Sequence, residues 1–527
     1  MKEYSKSYAT LLLVAAATSL EAKSISPQNG DMPNVLFIAV DDLNDWSPCL
    51  GNYPNAKTPN IDRLAERGII FTNAHCQAPI SGPSRTSIMT GLKPSTTGVY
   101  LQIRDQIIKD ANERTSQVRF LTEYFKDSGY TALGAGKIFH NGDGANTFEE
   151  YGGFYGGLKS NPMPPNGERM NFDWRYNSDY WRTMTDWGVI DGVEDEDMGD
   201  YLVAEFAVEA LQRKHDKPFF IAAGFTRPHN PWHVPKKWFD MFPEEKMVTP
   251  PYKADDYNDI PEIAQQVNLM PQMPTTTWLI ENNKWRSLIQ SYLACMAFVD
   301  DQVGKVVRAL EASPYADNTV IVLFSDHGYH FGEKNRTCKH SLWERSTHVP
   351  LIFAGKGIEP SLRCGEPVGL IDIYPTLIDL CGLDKNRDNE GLSLIKQIKN
   401  PKAKRKVGAL TTFGMGNSSI IFDGYHYIEY EDGSQELYNL TSDPNEWNNV
   451  ASAAESSKII EQLRKQLPTH YEEYYPTFQS AASNQYFNDA NKASAERKKR
   501  AAEAARAAKT ANTDGKQGQQ RQQINNN

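Results

Sequence analysis

The sequence predicts an α/β domain, a mostly parallel sheet between helices, followed by a smaller α+β domain, and three patterns carry that expectation. Apolar, β-rich runs without polar alternation stand at Asn34 to Val40, Phe219 to Ala223 and Thr319 to Phe324. Such runs suit strands covered on both faces, as parallel strands are. Helical stretches lie between them, Pro59 to Arg67 and Trp285 to Leu310 among them, and strands alternating with helices make parallel crossovers. Beyond Lys402 the pattern shifts to short alternating segments, Ser418 to Phe422 and His426 to Tyr430, then an amphipathic helix around Ser456 to Leu467. That change implies a small antiparallel sheet carrying a helix. A chain of 527 residues exceeds what one small core organises, so domains of 33–401 and 402–480 are expected.

In chain order, Lys2 and Lys6 precede an apolar run from Ala9 to Leu20 and small residues up to Ala22, the layout of a cleavable secretory signal peptide, 1–22. The expected location is periplasmic or secreted, and no later run is long and apolar enough for a transmembrane segment. Cys49 is the first cysteine, so the mature N-terminus offers no thiol for lipidation. The stretch from Tyr151 to Asp200 is rich in Gly, Asn, Pro and aromatics without a sustained period. It reads equally as an insertion lining a substrate cleft and as a solvated structural loop. From Asn491 the mix of Ala, Lys, Arg, Glu, Gln and Asn cannot bury a core, so 491–527 reads as a disordered or partly helical basic tail. A net charge of −10 argues against a nucleic-acid partner, because a polyanion needs a basic surface. The six cysteines show neither a CxxC pair nor zinc-like spacing. Export permits disulfides, and the spacing leaves their pairing open.

Three short segments carry chemistry. Asp41 and Asp42 directly follow the first strand run, and adjacent carboxylates at a strand end favour a neutralising cation, although a solvated turn would also accept them. Asp326 and His327 follow the Thr319 to Phe324 run in the same way. Both pairs at the carboxyl ends of strands in one parallel sheet point to a shared metal, because that edge is where such sheets gather their chemistry. The third segment runs from Ser81 to Gly91, with Pro83 suited to a first helical turn and Gly91 to a helix end. Ser81 is thus expected just before a helix whose N-terminus favours an anion.

The run S-G-P-S-R-T-S-I-M-T-G from Ser81 resembles the signature of the type I, formylglycine-dependent sulfatases: Cys or Ser, then x-P-S-R, then T-G after a short gap. The first residue of that signature is oxidised to formylglycine (3-oxoalanine). Cys76 is not that residue, since Ala78 stands where the signature has proline. Segments Asp41 to Leu43, Thr58 to Asp62, Gly136 to His140, Arg227 to His229, Ser325 to Gly328 and Thr347 to Leu351 are similar in order and spacing to the iduronate-2-sulfatase branch. The resemblance implies an alkaline-phosphatase-like fold and a Ca2+ ion held by Asp41, Asp42, Asp326 and His327 with modified Ser81. It implies Arg85 beside the formylglycine hydroxyl, Lys137 and Lys339 on the sulfate, His140 as the base for the hydrated aldehyde and His229 near the leaving oxygen. A sulfated oligosaccharide is the implied substrate, and serine at the modified position implies a radical-type sulfatase-maturating enzyme as partner. Taken singly, Lys137 reads as well as a helix cap or surface ion pair, and His140 as a loop histidine. A phosphomonoester or phosphonate hydrolase and an inactive carbohydrate-binding homologue are the alternatives the same fold leaves open.

Overall fold

The computed structural model describes residues 32–475 apart from 52, 155–161, 165–169, 173–184, 269–272 and 474. The expected signal peptide, the basic tail and much of the Tyr151 to Asp200 stretch therefore lie outside the described residues.

The main sheet has eight strands: β1 (Asn34–Val40), β2 (Gly68–Phe71), β4 (Thr131–Gly136), β5 (Glu150–Tyr151), β6 (Phe219–Phe225), β7 (Thr319–Ser325), β9 (Leu351–Gly355) and β10 (Leu362–Cys364). Their order is β10-β2-β9-β7-β1-β6-β4-β5. All neighbours pair in parallel except β9, which runs against both β2 and β7. The three apolar runs read from the sequence are β1, β6 and β7 at its centre, each buried along its whole length.

Because side chains alternate across a strand, β1 feeds two cores. Leu36, Ile38 and Val40 pack with the long helix Trp285–Glu311 and the helix Gly199–Gln212. Val35, Phe37 and Ala39 pack on the other face, with Ile88 and Met89 of the helix Ser81–Thr90 and with Tyr374 and Leu377 of the helix Ile373–Leu380. Each such buried aliphatic or aromatic side chain contributes about 1.5–3 kcal/mol, which fixes the layers and hence the level at which the strands end. Register finishes the alignment: Val40 pairs with both Ser325 and Phe225, and Gly136 with Gly224. Asp41, Asp326, Thr226 and Lys137 therefore leave the sheet side by side at one edge.

That edge is tightly built between β4 and β6. Gly136 has a left-handed φ of 79°, and a Cβ there would stand 2.1 Å from the Gly224 carbonyl oxygen. A Cβ on Gly224 would meet the Lys137 backbone at 2.3 Å. Only glycine lets the chain turn from β4 under β6 at this spacing.

The smaller domain is an antiparallel sheet of four strands in order, β12 (Ala409–Thr412), β13 (Ser418–Phe422), β14 (Tyr425–Glu429) and β15 (Gln435–Asn439). One face packs on Leu463 of the helix Ser457–Arg464. The opposite face presents Ile428, Tyr430 and Tyr438 to Ile80, Tyr100, Leu342 and Trp343 of the large domain. Thr412 N also donates to Gln77 O at 2.9 Å, in the segment leading to Ser81. A third sheet of two-residue strands joins the two: β11 (Val368–Gly369), β3 (Ala74–His75) and β8 (His348–Val349).

One detail differs from the sequence reading and another narrows it. Ser81 is the first residue of its helix rather than the residue before it, Ile80 being the extended N-cap. The described parts of the Tyr151 to Asp200 stretch include wholly buried Asp186 and Trp187; Asp186 accepts from the backbone N–H groups of Met170 and Asn171 at 2.9 Å each, so this part of the stretch is packed rather than solvated. All six cysteines are free thiols.

Candidate active site

At the shared strand edge the backbone supplies Asp41 and Asp42 after β1, Asp326 and His327 after β7, and Lys137 after β4, while the helix Ser81–Thr90 enters from one face. Ser81 Oγ lies 3.2 Å from Asp41 Oδ1 and 3.0 Å from His327 Nε2. Arg85, one turn further along the helix, donates from Nε to Asp326 Oδ2 at 2.8 Å and from Nη2 to Asp41 Oδ1 at 3.3 Å. Its Nη1 holds the Ile138 carbonyl at 3.1 Å, which ties the Lys137 turn to the Ser81 helix. Lys137 Nζ donates to Asp41 Oδ2, and Lys339 Nζ to Asp42 Oδ1 at 2.7 Å. His229 Nε2 stands 4.0 Å from Asp42 Oδ2. The His140 ring lies within electrostatic range of Lys137, Asp41, Arg85 and Lys339. The structure thus brings all ten residues singled out in the sequence to one place.

Charge there is dense and dry. Asp41, Asp42, Ser81, Asp326 and His327 are wholly buried. Burial raises the Asp42 carboxyl, with repulsion from Asp41 and Asp326 adding to it against the pull of Lys339. Asp326 is raised for the same first reason, against Arg85. Burial also opposes charge on Asp41, yet Lys137, Arg85 and Lys339 together hold its carboxyl well below the usual range. The imidazoles of His140, His229 and His327 are all held low, by burial and then by the nearby ammonium groups, so they are neutral near pH 7. His327 Nδ1 lies 3.1 Å from Gly328 O and His229 Nδ1 lies 2.6 Å from Asn230 O. Each contact places the ring proton on Nδ1 and turns the Nε2 lone pair toward the cluster.

Asp41, Asp42, Asp326 and His327 each offer one ligand atom within 4.8 Å of the others. Asp42 Oδ2 is buried with no hydrogen-bond partner among the described residues, an acceptor that an ion would satisfy. Three carboxylates and one imidazole suit a hard divalent cation such as Ca2+. A second cluster, Asp45, Glu344 and His348, has two carboxylates and one imidazole but carries its own countercharge: Arg345 Nη1 donates to Asp45 Oδ2, and His348 Nδ1 lies 2.9 Å from Glu344 Oε1.

Several supporting residues escaped the sequence reading. Asp200, at the start of its helix, accepts from Thr226 N and Arg227 N at 2.7 Å each and so fixes the turn bearing His229. Asp105 does the same for His140 N and Asn141 N, at 3.1 and 3.0 Å. Gln102 Oε1 takes the Gly82 N–H at 2.8 Å. None of these has a sequence signal of its own, since each acts only through a backbone group brought near by folding.

Residues 33–383 match the Sulfatase family, and residues 332–473 match the C-terminal region of N-sulphoglucosamine sulphohydrolase. The chain belongs to the sulfatase family. A sulfatase of Formosa agariphila is 46% identical over 446 residues, covering 83% of this chain and 87% of that protein. Human iduronate 2-sulfatase is 30% identical over 435 residues, covering 71% and 73%. Among solved structures, a 2-O GAG sulfatase superposes with a TM-score of 0.62 at 22% identity, covering 85% of this chain and 98% of that one. The phosphonate monoester hydrolase of Agrobacterium radiobacter reaches 0.61 at 20% identity, covering 82% and 96%, so the backbone alone does not separate the two chemistries. This sulfatase is an enzyme of the alkaline-phosphatase-like fold, as its sequence motifs implied, with a mostly parallel sheet and a smaller antiparallel one.

Proposed function

We propose that this sulfatase removes sulfate from a sulfated carbohydrate, with a 2-O-sulfated uronate or an algal sugar as candidate substrate, through a formylglycine made from Ser81 and with Ca2+ held by Asp41, Asp42, Asp326, His327 and the modified Ser81. One observation carries the reading: Ser81 opens a helix with its Oγ among the metal-type ligands, 3.0 Å from His327 Nε2 and 3.2 Å from Asp41 Oδ1. The name of the human relative supports the uronate. A signal peptide at 1–22, a periplasmic or secreted location and maturation by a radical-type sulfatase-maturating enzyme belong to the same proposal.

Serine itself is a weak nucleophile; the oxidised, hydrated form would present two geminal hydroxyls, one to bond to sulfur and one to release sulfate by re-forming the aldehyde. The cation, when bound, supplies positive charge to the sulfuryl oxygens. Around it, Lys137 and Lys339 take the remaining sulfuryl oxygens, where negative charge grows in the transition state. Arg85 orients the nucleophile, being held by Asp41, Asp326 and the Lys137 turn together. As the sulfur–oxygen bond to the sugar breaks, His229, whose Nε2 takes up a proton once the sulfate ester is bound, delivers that proton to the departing alcohol oxygen; His140 accepts the proton of the attacking hydroxyl, passes it to solvent, and then accepts that of the second hydroxyl as sulfate leaves. The sum is one water consumed, one alcohol and one sulfate released.

Peptide mass spectrometry of the native protein tests the nucleophile: Ser81 is expected two hydrogens lighter than encoded, and plain serine throughout would defeat the formylglycine. Aryl sulfate and aryl phosphate assayed side by side should favour sulfate. Preference for phosphate would hand the site to the phosphonate-hydrolase reading. Defined sulfated disaccharides then identify the sugar by the desulfated product.

A further inference from the structure

Lys339 is the one charged group of the site that no strand end or helix delivers. It stands in the segment Phe331 to Trp343, whose only regular element is the short turn Glu333–Asn335. Three non-glycine residues there, Lys334, Asn335 and His340, have left-handed φ of 54°, 47° and 70°. Such conformations persist only where the surroundings dictate them. Within this segment lies Arg336, which is 6% exposed. Its Nη2 lies 3.0 Å from the Lys339 carbonyl oxygen, 3.1 Å from that of His340 and 2.9 Å from Cys338 Sγ. Two consecutive carbonyls on one guanidinium nitrogen fix the peptide plane between Lys339 and His340, and with it the direction in which the Lys339 side chain leaves. Arg336 in turn lies over the Trp343 ring, 5.6 Å from its centroid. Trp343 is wholly buried and donates from Nε1 to Glu436 Oε2 of β15 at 2.9 Å.

We propose that Arg336 is a positioning residue for Lys339, holding the loop that aims this ammonium at the sulfuryl group, with the β12–β15 sheet bracing it through Trp343 and Glu436. The proposal rests on the sulfatase reading above. A planar fork that caps carbonyls while stacking on an indole is specific to arginine, so lysine is a poor replacement.

A double-mutant cycle separates positioning from mere stability. For wild type, Arg336→Met, Lys339→Ala and the double variant, kcat/KM on an aryl sulfate and competitive inhibition by inorganic sulfate are measured well below each melting point. Arg336→Met is expected to lower kcat/KM by about 10²-fold in wild type, the cost of displacing a reacting group by around an ångström. On the Lys339→Ala background it should change activity by less than about twofold, and sulfate inhibition should weaken once and not again. Equal losses on both backgrounds would overturn the proposal. Should Arg336→Met not fold, Arg336→Lys enters the same cycle with the same two outcomes. Sulfate binding by calorimetry reads the same coupling without turnover, so an inactive wild type, which would defeat the sulfatase reading, still leaves this test decisive.

Discussion

The two sides of the site are made by different means. On one side Asp41, Asp326 and Lys137 are the next residues after paired strands whose ends share a register. On the other, Lys339 hangs on an irregular loop clamped by one guanidinium and braced by a second sheet. The first arrangement draws its precision from eight strands and two cores, so it is stiff and local perturbations stay local. The second is only as good as a relay of single contacts, and each contact is a point of failure. Placement by sheet register should therefore fail at the residue that acts, whereas placement by a loop should fail at residues that never meet the substrate.

The strongest test lies on the strand-and-helix side. Ser81→Ala, which removes the group to be oxidised while its buried surroundings remain, should abolish steady-state sulfate release, a loss of at least about 10⁴-fold, with little change in melting temperature. Activity persisting near the wild-type rate would place the nucleophile elsewhere. Next comes Asp326→Asn, which strips a charge from the ligand cluster and half of the Arg85 pairing. Chelated wild type should gain roughly 2.7 kcal/mol of stability at a Ca2+ concentration a hundred times its dissociation constant, read as a rise in melting temperature. The Asp326→Asn protein should gain almost none, and an equal rise in both would remove Asp326 from the metal site.

The loop side should answer to residues remote from the chemistry. Glu436→Gln leaves Trp343, Tyr430 and Tyr438 sharing a weaker acceptor and should cost about 2 kcal/mol of stability together with a several-fold fall in kcat/KM. A stability loss with unchanged catalysis would reduce the second sheet to a passive neighbour. A last effect concerns pH and is read on stability alone. Burial works against charge on His348, but Glu344 and Asp45 outweigh it and raise the imidazole to about 10. A pKa raised on folding stabilises fully below the unfolded value near 6.5 and loses that contribution as pH climbs toward the folded one. His348→Gln should therefore cost about 3 kcal/mol at pH 6, and the gap to wild type should close as pH rises toward 10. A gap independent of pH would mean the histidine is held neutral.

The same contrast explains what could be read from the residues in order. Asn34 to Val40 and Ser418 to Phe422 were expected as strands and are strands with those limits, because continuous apolar runs and alternating ones leave little choice of period. Thr319 to Phe324 ends one residue later and Phe219 to Ala223 two later, since the closing residues Ser325, Gly224 and Phe225 are set by pairing rather than by propensity. The site residues were legible through their motifs, and strand-end logic already linked Asp41 and Asp42 to Asp326 and His327. Glu436, Asp200 and Asp105 were not, because each works on a backbone group or a ring tens of positions away; nor was Arg336, whose carbonyl partners lie three and four residues on but meet it only in an irregular loop that no period marks. The second domain was visible as a sheet with a helix, but its hold on Trp343 was not, since no pattern within 402–480 records what its far face touches.

Gly136 and Gly224 carry a consequence for anyone scanning this chain by substitution. Alanine at either position adds one methyl group, changes no charge and touches no ligand, yet the added carbon would collide with main-chain atoms at 2.1 to 2.3 Å. The strain has one outlet, a shift of the turn that carries Lys137. A tolerance map of this enzyme should show two silent-looking columns as intolerant as the acidic ones, and a thermostability campaign that fills glycines indiscriminately would dismantle catalysis from behind the sheet.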